Sequence, residues 1–148
     1  MKPVGLILDS DEMSGLLPLA RDAEAAGFDS IWATELYRTS FEQLSYVSSV
    51  TKTIKLGTAV ALAFVRTPLI TALTALDLDE ISDGRLVLGL GTGAKRTNEM
   101  WHGISHGKPV TRIKECIDVI RLVTEKAGEG ALRYEGEYYD INTKGYHR

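Results

Sequence analysis

A predicted strand, a helix and a second strand follow one another in the middle of the sequence. The first strand is 54–60 (IKLGTAV), the helix is 67–81 (TPLITALTALDLDEI), and the second strand is 85–90 (RLVLGL). The two outer runs are short and largely apolar, which is typical of strands buried on both faces of a parallel sheet. Thr67 followed by Pro68 is a strong helix start, because a proline in the first turn lacks a donor that would be unpaired anyway. Parallel strands joined through a helix are connected by a right-handed crossover.

The same alternation extends back to the beginning of the sequence. Residues 4–8 form a predicted first strand, and residues 30–35 form the second. Between them we expect a helix that begins after a cap at Ser14 and ends at Gly27, where a left-handed residue is needed. Ser40 with Gln43 predicts a capping box for a helix that runs to about residue 49. In the helix of residues 67–81, the positions expected to face inward are Leu69, Leu73, Leu76 and Ile81.

Beyond the fourth strand the pattern changes. A glycine-rich turn and a loop follow residue 90, and a further helix is predicted over about residues 112–126. Residues 133–141 predict a β-hairpin around Glu135 and Gly136. Cys116 lies on the apolar face of the predicted helix 112–126, so we expect it in the core.

Four successive strand–helix units indicate an α/β fold with a parallel sheet. The periodicity fits an open doubly wound sheet and a segment of a closed barrel equally well. Four strands are too few to close a barrel, and the apolar runs 4–8 and 86–90 would leave unpaired edges. We therefore expect the sheet to be completed either by further protein or by a second copy in a homo-oligomer.

Composition excludes several classes of protein. The 148 residues are 44% hydrophobic and 25% charged, with a net charge of −3, as in an ordinary globular protein. No block of Lys and Arg suggests nucleic-acid binding, and no apolar run approaches the roughly 18 residues of a membrane span. The single cysteine and the lack of a secretory leader at the start favour a cytoplasmic location.

Three stretches combine small residues with polar ones at the carboxyl ends of predicted strands. Residues 25–35 end in Glu35, at the position where barrel enzymes carry their active sites. Residues 57–68 pass from a run of small side chains to Arg-Thr-Pro. Residues 83–93 end in a Gly-x-Gly turn, which allows a flat ring or a phosphate to approach the backbone closely.

In this order and at these separations, the three stretches resemble the luciferase-like superfamily of flavin- and deazaflavin-dependent oxidoreductases, especially its members that use coenzyme F420. The resemblance runs over nearly the whole chain. It implies that residues 1–148 form the N-terminal half of one (β/α)8 TIM-barrel domain, with strands one to four and an excursion after the fourth. It also implies coenzyme F420 as cofactor, with FMN as the alternative, and a small-molecule substrate.

The resemblance further implies roles for individual residues. Family members carry a non-prolyl cis peptide in the third strand that supports the middle of the flavin ring, and the matching bond is Ala59–Val60. Glu35 matches an acidic position beside the reactive side of the ring, and we take it as the candidate catalytic residue. The candidate cofactor-binding residues are Asp9, Ala59, Val60, Gly91, Thr92, Gly93 and Asn98, although Asp9 has only its position at the end of strand one in its favour.

Departures from the family pattern limit the expected chemistry. Some sugar-phosphate members have a histidine directly after the acid, whereas this sequence has Leu36. His102 and His106, with Glu99 before them, imitate a metal-ligand spacing, but the surrounding glycines and proline indicate a loop, and we expect no metal site.

The predicted function is hydride transfer between coenzyme F420, or a flavin, and a small organic substrate. The alternatives are an FMN-dependent monooxygenase, a non-catalytic half-barrel that acts by oligomerisation, and an unrelated α/β module that binds a phosphorylated ligand at residues 91–93.

Overall fold

A computed structural model describes residues 2–126 and 130–144. The strands are β1 (Gly5–Ile7), β2 (Ser30–Ala33), β3 (Lys55–Thr58), β4 (Ala61–Leu62), β5 (Leu86–Val87), β6 (Leu90–Gly91), β7 (Leu132–Glu135) and β8 (Asp140–Thr143). The helices are α1 (Leu16–Ala25), α2 (Ser40–Ser48), α3 (Pro68–Ile81), α4 (Lys95–Met100) and α5 (Pro109–Glu125), with a 3-10 turn at Met13–Gly15. None of the helices within these ranges is both long enough and apolar enough to cross a bilayer.

The central sheet has the order β1-β2-β3-β5, and each neighbouring pair is parallel. The register places Ile31 of β2 between Leu6 of β1 and Leu56 of β3, with Leu86 of β5 beyond. These apolar side chains share one face of the sheet, because residues at equivalent register point the same way. The predicted parallel sheet and its sequential strand order are therefore confirmed.

The chain divides into two compact units. The first comprises Met1–Ala61 and Ala75–Leu90, and the second comprises Leu62–Thr74 and Gly91–Arg148. The core of the first unit is formed where the apolar face of the sheet packs against the helices. Its fully buried members include Ile31, Leu56, Leu16, Leu44 and Leu78.

The predicted third and fourth strands are each interrupted. Strand β3 ends at Thr58 and a short β4 follows, while β5 ends at Val87 and β6 begins at Leu90. The buried Thr58 hydroxyl donates to the Gly89 carbonyl at 2.7 Å and accepts from the Gly89 amide at 2.8 Å. A Cβ at Gly89 would lie 2.2 Å from the Thr58 carbonyl oxygen. Only glycine allows the two backbones to approach this closely.

The two predicted serine caps are wrong. Ser14 lies inside the 3-10 turn before α1 and donates to the Glu12 carboxylate. Helix α2 begins at Ser40 itself, and its N-cap is Thr39. Gln43 uses its side-chain amide to hold the carbonyls of Thr34 and Thr39 instead of closing a capping box. The predicted start of α3 is confirmed, since the Thr67 hydroxyl accepts from the Ile70 amide.

The predicted inward face of α3 is also wrong. Ile81 is 64% exposed, and Leu69, Leu73 and Leu76 are only half-buried. The buried positions are Pro68, Thr71, Ala72, Ala75 and Leu78. The error has a physical source, since this helix has apolar residues all around its first turns and its periodicity therefore defines no single face.

In the second unit, helix α5 and the β7–β8 hairpin are held together through one carboxylate. Glu115 of α5 accepts from the amides of Glu137, Tyr138 and Tyr139 in the hairpin turn at 2.8–3.2 Å. The hairpin is antiparallel, as predicted. Helix α5 begins at Pro109, three residues before the predicted start, because proline at its first position sets the helical conformation.

Candidate functional site

A pocket of about 530 Å³ opens at the carboxyl ends of β1 and β2 in the first unit. Its wall is formed by the segments that follow the two strands, and the lining residues are Ile7, Leu8, Asp9, Ser10, Asp11, Thr34, Leu36, Tyr37, Arg38 and Gln43. Arg38 donates to the Asp11 carbonyl and so ties the two segments to each other. In parallel α/β folds, ligands bind at this end of the strands, so the pocket is the first candidate for a substrate site.

The two acidic side chains of this unit that were predicted as site residues, Asp9 and Glu35, lie at the same end of the sheet. Asp9 lines the pocket and is exposed. Glu35 is half-buried and follows β2 by two residues, between the lining residues Thr34 and Leu36. Among the described residues, the pocket wall thus includes the neighbours of Glu35 and not Glu35 itself. The role predicted for Glu35 remains a prediction.

The peptide bond between Ala59 and Val60 is cis, as the resemblance implied. The Ala59 amide donates to the Ala33 carbonyl at 2.8 Å, so this bond lies just beyond the carboxyl ends of β2 and β3. Thr58 and Ala61 on either side are buried, whereas Ala59 is exposed and Val60 is 40% exposed. The chain therefore presents the side chains of Ala59 and Val60 at the carboxyl end of the sheet, and their predicted contact with a cofactor ring remains a prediction.

The other predicted cofactor residues lie in the second unit and are brought together by Asn98. Asn98 lies in α4 and is fully buried. Its Nδ2 donates to the Thr92 carbonyl at 2.7 Å, in the middle of the Gly91-Thr92-Gly93 turn. Gly93 has a φ of +68°, and a Cβ there would lie 3.2 Å from Asn98 Oδ1. The buried Asn98 thus holds the turn in place through the Thr92 carbonyl.

Several neighbours of this turn were not predicted as part of the site. His106 Nδ1 lies 2.9 Å from Asn98 Nδ2, and its ring packs edge-on against Phe64. The Arg112 guanidinium lies 4.4 Å from the centre of the Phe64 ring and donates to the Ser105 carbonyl. No sequence pattern links residues 98 and 106, because a loop of irregular structure brings them together.

Other features of the second unit are structural. Burial raises the pKa of the Cys116 thiol to about 11, against a smaller lowering by Arg112, which fits its predicted place in the core. Within residues 2–126 and 130–144, no group of three or more His, Cys, Asp or Glu side chains is arranged to hold a metal ion. Helix α4, which carries Asn98, occupies part of what was predicted to be a loop.

Comparison with known proteins gives a consistent result. The family model described as luciferase-like monooxygenase matches residues 4–148. The chain is 39% identical over 122 residues to 5,10-methylenetetrahydromethanopterin reductase of Archaeoglobus fulgidus, covering 81% of the chain and 36% of that protein. It is 40% identical over 114 residues to the reductase of the same name from Methanolobus tindarius, covering 76% of the chain and 35% of that protein.

A solved structure resembles the chain as well. Coenzyme F420-dependent tetrahydromethanopterin reductase from Methanopyrus kandleri superposes with a TM-score of 0.81 at 28% identity, covering 97% of the chain and 45% of that protein. The chain therefore spans less than half the length of the proteins it matches. The expected barrel fold and the expected relationship to the N-terminal half of such proteins are confirmed.

Proposed function

Because the chain belongs to the family of luciferase-like monooxygenases, we propose that it forms the N-terminal part of an oxidoreductase that transfers a hydride between coenzyme F420 and a small organic substrate. The observation that carries this proposal is the exposed Ala59–Val60 segment at the carboxyl end of the parallel sheet. The proposal is further supported by the 39% identity of the chain to 5,10-methylenetetrahydromethanopterin reductase.

The residues present fit a flat heterocyclic cofactor. Exposed side chains at Ala59 and Val60 offer a contact surface for a ring, and the hydrogen bonds between Thr58 and Gly89 hold the end of β3 against the β5–β6 junction. In the second unit, the Gly91-Thr92-Gly93 turn is half-buried and anchored by Asn98. When bound, the cofactor supplies the hydride donor or acceptor. The protein binds and orients it, and the pocket at β1 and β2 receives the substrate.

Glu35 is the residue we propose for proton handling or substrate orientation beside the pocket. Replacing it with Gln keeps its size and removes its charge. We expect Glu35→Gln to lower turnover about 100- to 10,000-fold, the usual worth of a general acid or base, with little change in cofactor affinity. Glu42→Gln, a change of the same kind at an exposed position on α2, is the matched control and leaves turnover unchanged. Unchanged turnover in Glu35→Gln would remove Glu35 from the mechanism.

The cofactor is tested by titrating the protein separately with coenzyme F420 and with FMN and following their absorbance and fluorescence. Tight binding of F420, followed by oxidation of the reduced cofactor when methylenetetrahydromethanopterin is added as the first hydride acceptor to try, supports the proposal. Binding of FMN, together with consumption of oxygen when the FMN is supplied in its reduced form, would instead support the monooxygenase alternative, which the family description favours. Binding of neither cofactor would contradict both and leave the non-catalytic scaffold.

We further propose that the exposed side of the sheet is covered in the working protein, by further chain or by a second copy. Ile7 is 59% exposed and Val87 is 40% exposed, although both belong to the parallel sheet. Strands β1 and β5 are the outer strands of the sheet order. Unpaired edges with apolar side chains favour association with more protein. A small-molecule substrate, no nucleic acid and a cytoplasmic location complete the proposal.

A further inference from the structure

The orientation of the Asn98 side chain is determined by its surroundings. The Thr92 carbonyl oxygen can only accept a hydrogen bond, so the atom 2.7 Å from it must be the amide nitrogen Nδ2. The second hydrogen of that nitrogen is directed to His106 Nδ1, 2.9 Å away. His106 Nδ1 must then be an acceptor, which makes the ring the neutral tautomer with its proton on Nε2.

This arrangement leaves the carboxamide oxygen of Asn98 without a hydrogen-bond donor in the described ranges. Within the part of the chain that the structure describes, Asn98 Oδ1 is one of two buried side-chain oxygens without a hydrogen-bond partner. A buried acceptor without a partner is costly, so the carboxamide keeps this orientation only because both of its N–H groups are held. If the acceptor at His106 were lost, one N–H of Asn98 would join Oδ1 as a buried polar group without a partner, and the hold of Asn98 on the Thr92 carbonyl would weaken.

His106 is itself held in place by its neighbours. Its ring lies edge-on against the buried Phe64, with 5.7 Å between ring centres. Arg112 covers the same Phe64 ring and binds the Ser105 carbonyl, one residue before His106. The loop after α4 is further closed by the Ile104 amide, which donates to the Asn98 carbonyl.

We propose that His106 is a positioning residue for cofactor binding. Acting through Asn98, it fixes the Thr92 carbonyl and with it the backbone of the Gly91-Thr92-Gly93 turn. This inference rests on the proposed function for its ligand, a flavin or deazaflavin ring at that turn. The hydrogen-bonded series from His106 to Thr92 is independent of that ligand and can be tested without it.

The experiment compares two substitutions at His106 in the intact protein. His106→Leu removes the acceptor, and we expect it to weaken binding of F420 or FMN, whichever the wild-type protein binds, about tenfold, because the Asn98 donor loses its partner. His106→Asn places an amide oxygen near the position of Nδ1, and we expect it to restore affinity to within about twofold. His102→Leu, at an exposed position on the same loop, is the matched control and leaves affinity unchanged.

A second readout needs no cofactor. Nitrogen NMR of the wild-type imidazole should show the neutral tautomer with Nε2 protonated, and the Asn98 side-chain amide and the Gly93 backbone amide should exchange faster in His106→Leu than in His106→Asn. An Nδ1-protonated ring, or equal exchange in the two variants, would overturn the inference, as would wild-type affinity in His106→Leu. If the wild-type protein bound neither cofactor, the proposed function would fail while the NMR comparison still decided the role of His106.

Discussion

Glu24→Gln is predicted to destabilise the first unit through the loss of one charge. The Glu24 carboxylate at the end of α1 accepts from the backbone amides of Lys52, Thr53 and Ile54 and from the Thr53 hydroxyl, at 2.7–3.1 Å. Burial alone would raise the pKa of Glu24, but these hydrogen bonds outweigh it and lower the pKa from 4.5 to about 2. Gln keeps the shape of the side chain and has a single, neutral acceptor.

The magnitude follows from that difference in pKa. At 1.36 kcal/mol per pH unit, stabilisation of the charged form amounts to about 3 kcal/mol. Glu24 is only half-buried, and solvent screening roughly halves this figure, so we expect a loss of about 1.5 kcal/mol at neutral pH. Because the folded-state pKa lies below the unfolded one, the contribution is present in full above about pH 4.5 and is lost as the pH falls towards 2.

Urea denaturation of the wild-type protein and of Glu24→Gln at several pH values between 7 and 3 measures this effect. The difference in unfolding free energy should be about 1.5 kcal/mol at pH 7 and should shrink steadily below pH 4.5. Glu42→Gln on the exposed side of α2 serves as control and should change stability by no more than a few tenths of a kcal/mol. A difference that did not depend on pH would refute the reasoning from charge.

Three further outcomes are expected. Gly89→Ala should destabilise the protein by about 2–3 kcal/mol, because the added Cβ would meet the Thr58 carbonyl oxygen at 2.2 Å. Gly27→Ala, where φ is +81° and the added Cβ would meet open space, should cost only about 1 kcal/mol when both variants are compared by thermal denaturation, and equal losses would contradict this account. Cys116 should react with a thiol reagent only as fast as the protein opens, since burial raises its pKa to about 11; rapid labelling of the native protein would disprove it. Light scattering should find association or aggregation when only this chain is present, and a stable, cooperative monomer would argue against a covered sheet face.

The parallel sheet could be predicted because its strands are short apolar runs separated by helices with clear boundaries. Thr67 and Pro68 defined the start of α3 through local chemistry alone, and the structure agrees. The inward face of α3 could not be predicted in the same way, because Ile81 is as apolar as Leu78 and only the packing of the whole unit distinguishes them.

The candidate site was predictable where it follows the strands and not where it depends on loops. Glu35 and Ala59 lie at strand ends, so their placement follows from the order of strands. Helix α4 (KRTNEM) has no apolar stripe to mark it as a helix, and its one buried residue is Asn98. The contact from Asn98 to His106 joins a short helix to an irregular loop, and such contacts leave no periodic signal in a sequence.

The carboxylate of Glu24 binds the loop of residues 52–54, between α2 and β3, almost entirely through its main chain. Every amino acid except proline offers the same N–H group, so the identity of the side chain at position 52 has little influence on how the loop is held. Substitution of that side chain is therefore expected to leave the backbone of the loop in place. A library that varies residue 52 should therefore yield folded proteins throughout, with Lys52→Pro as the single failure.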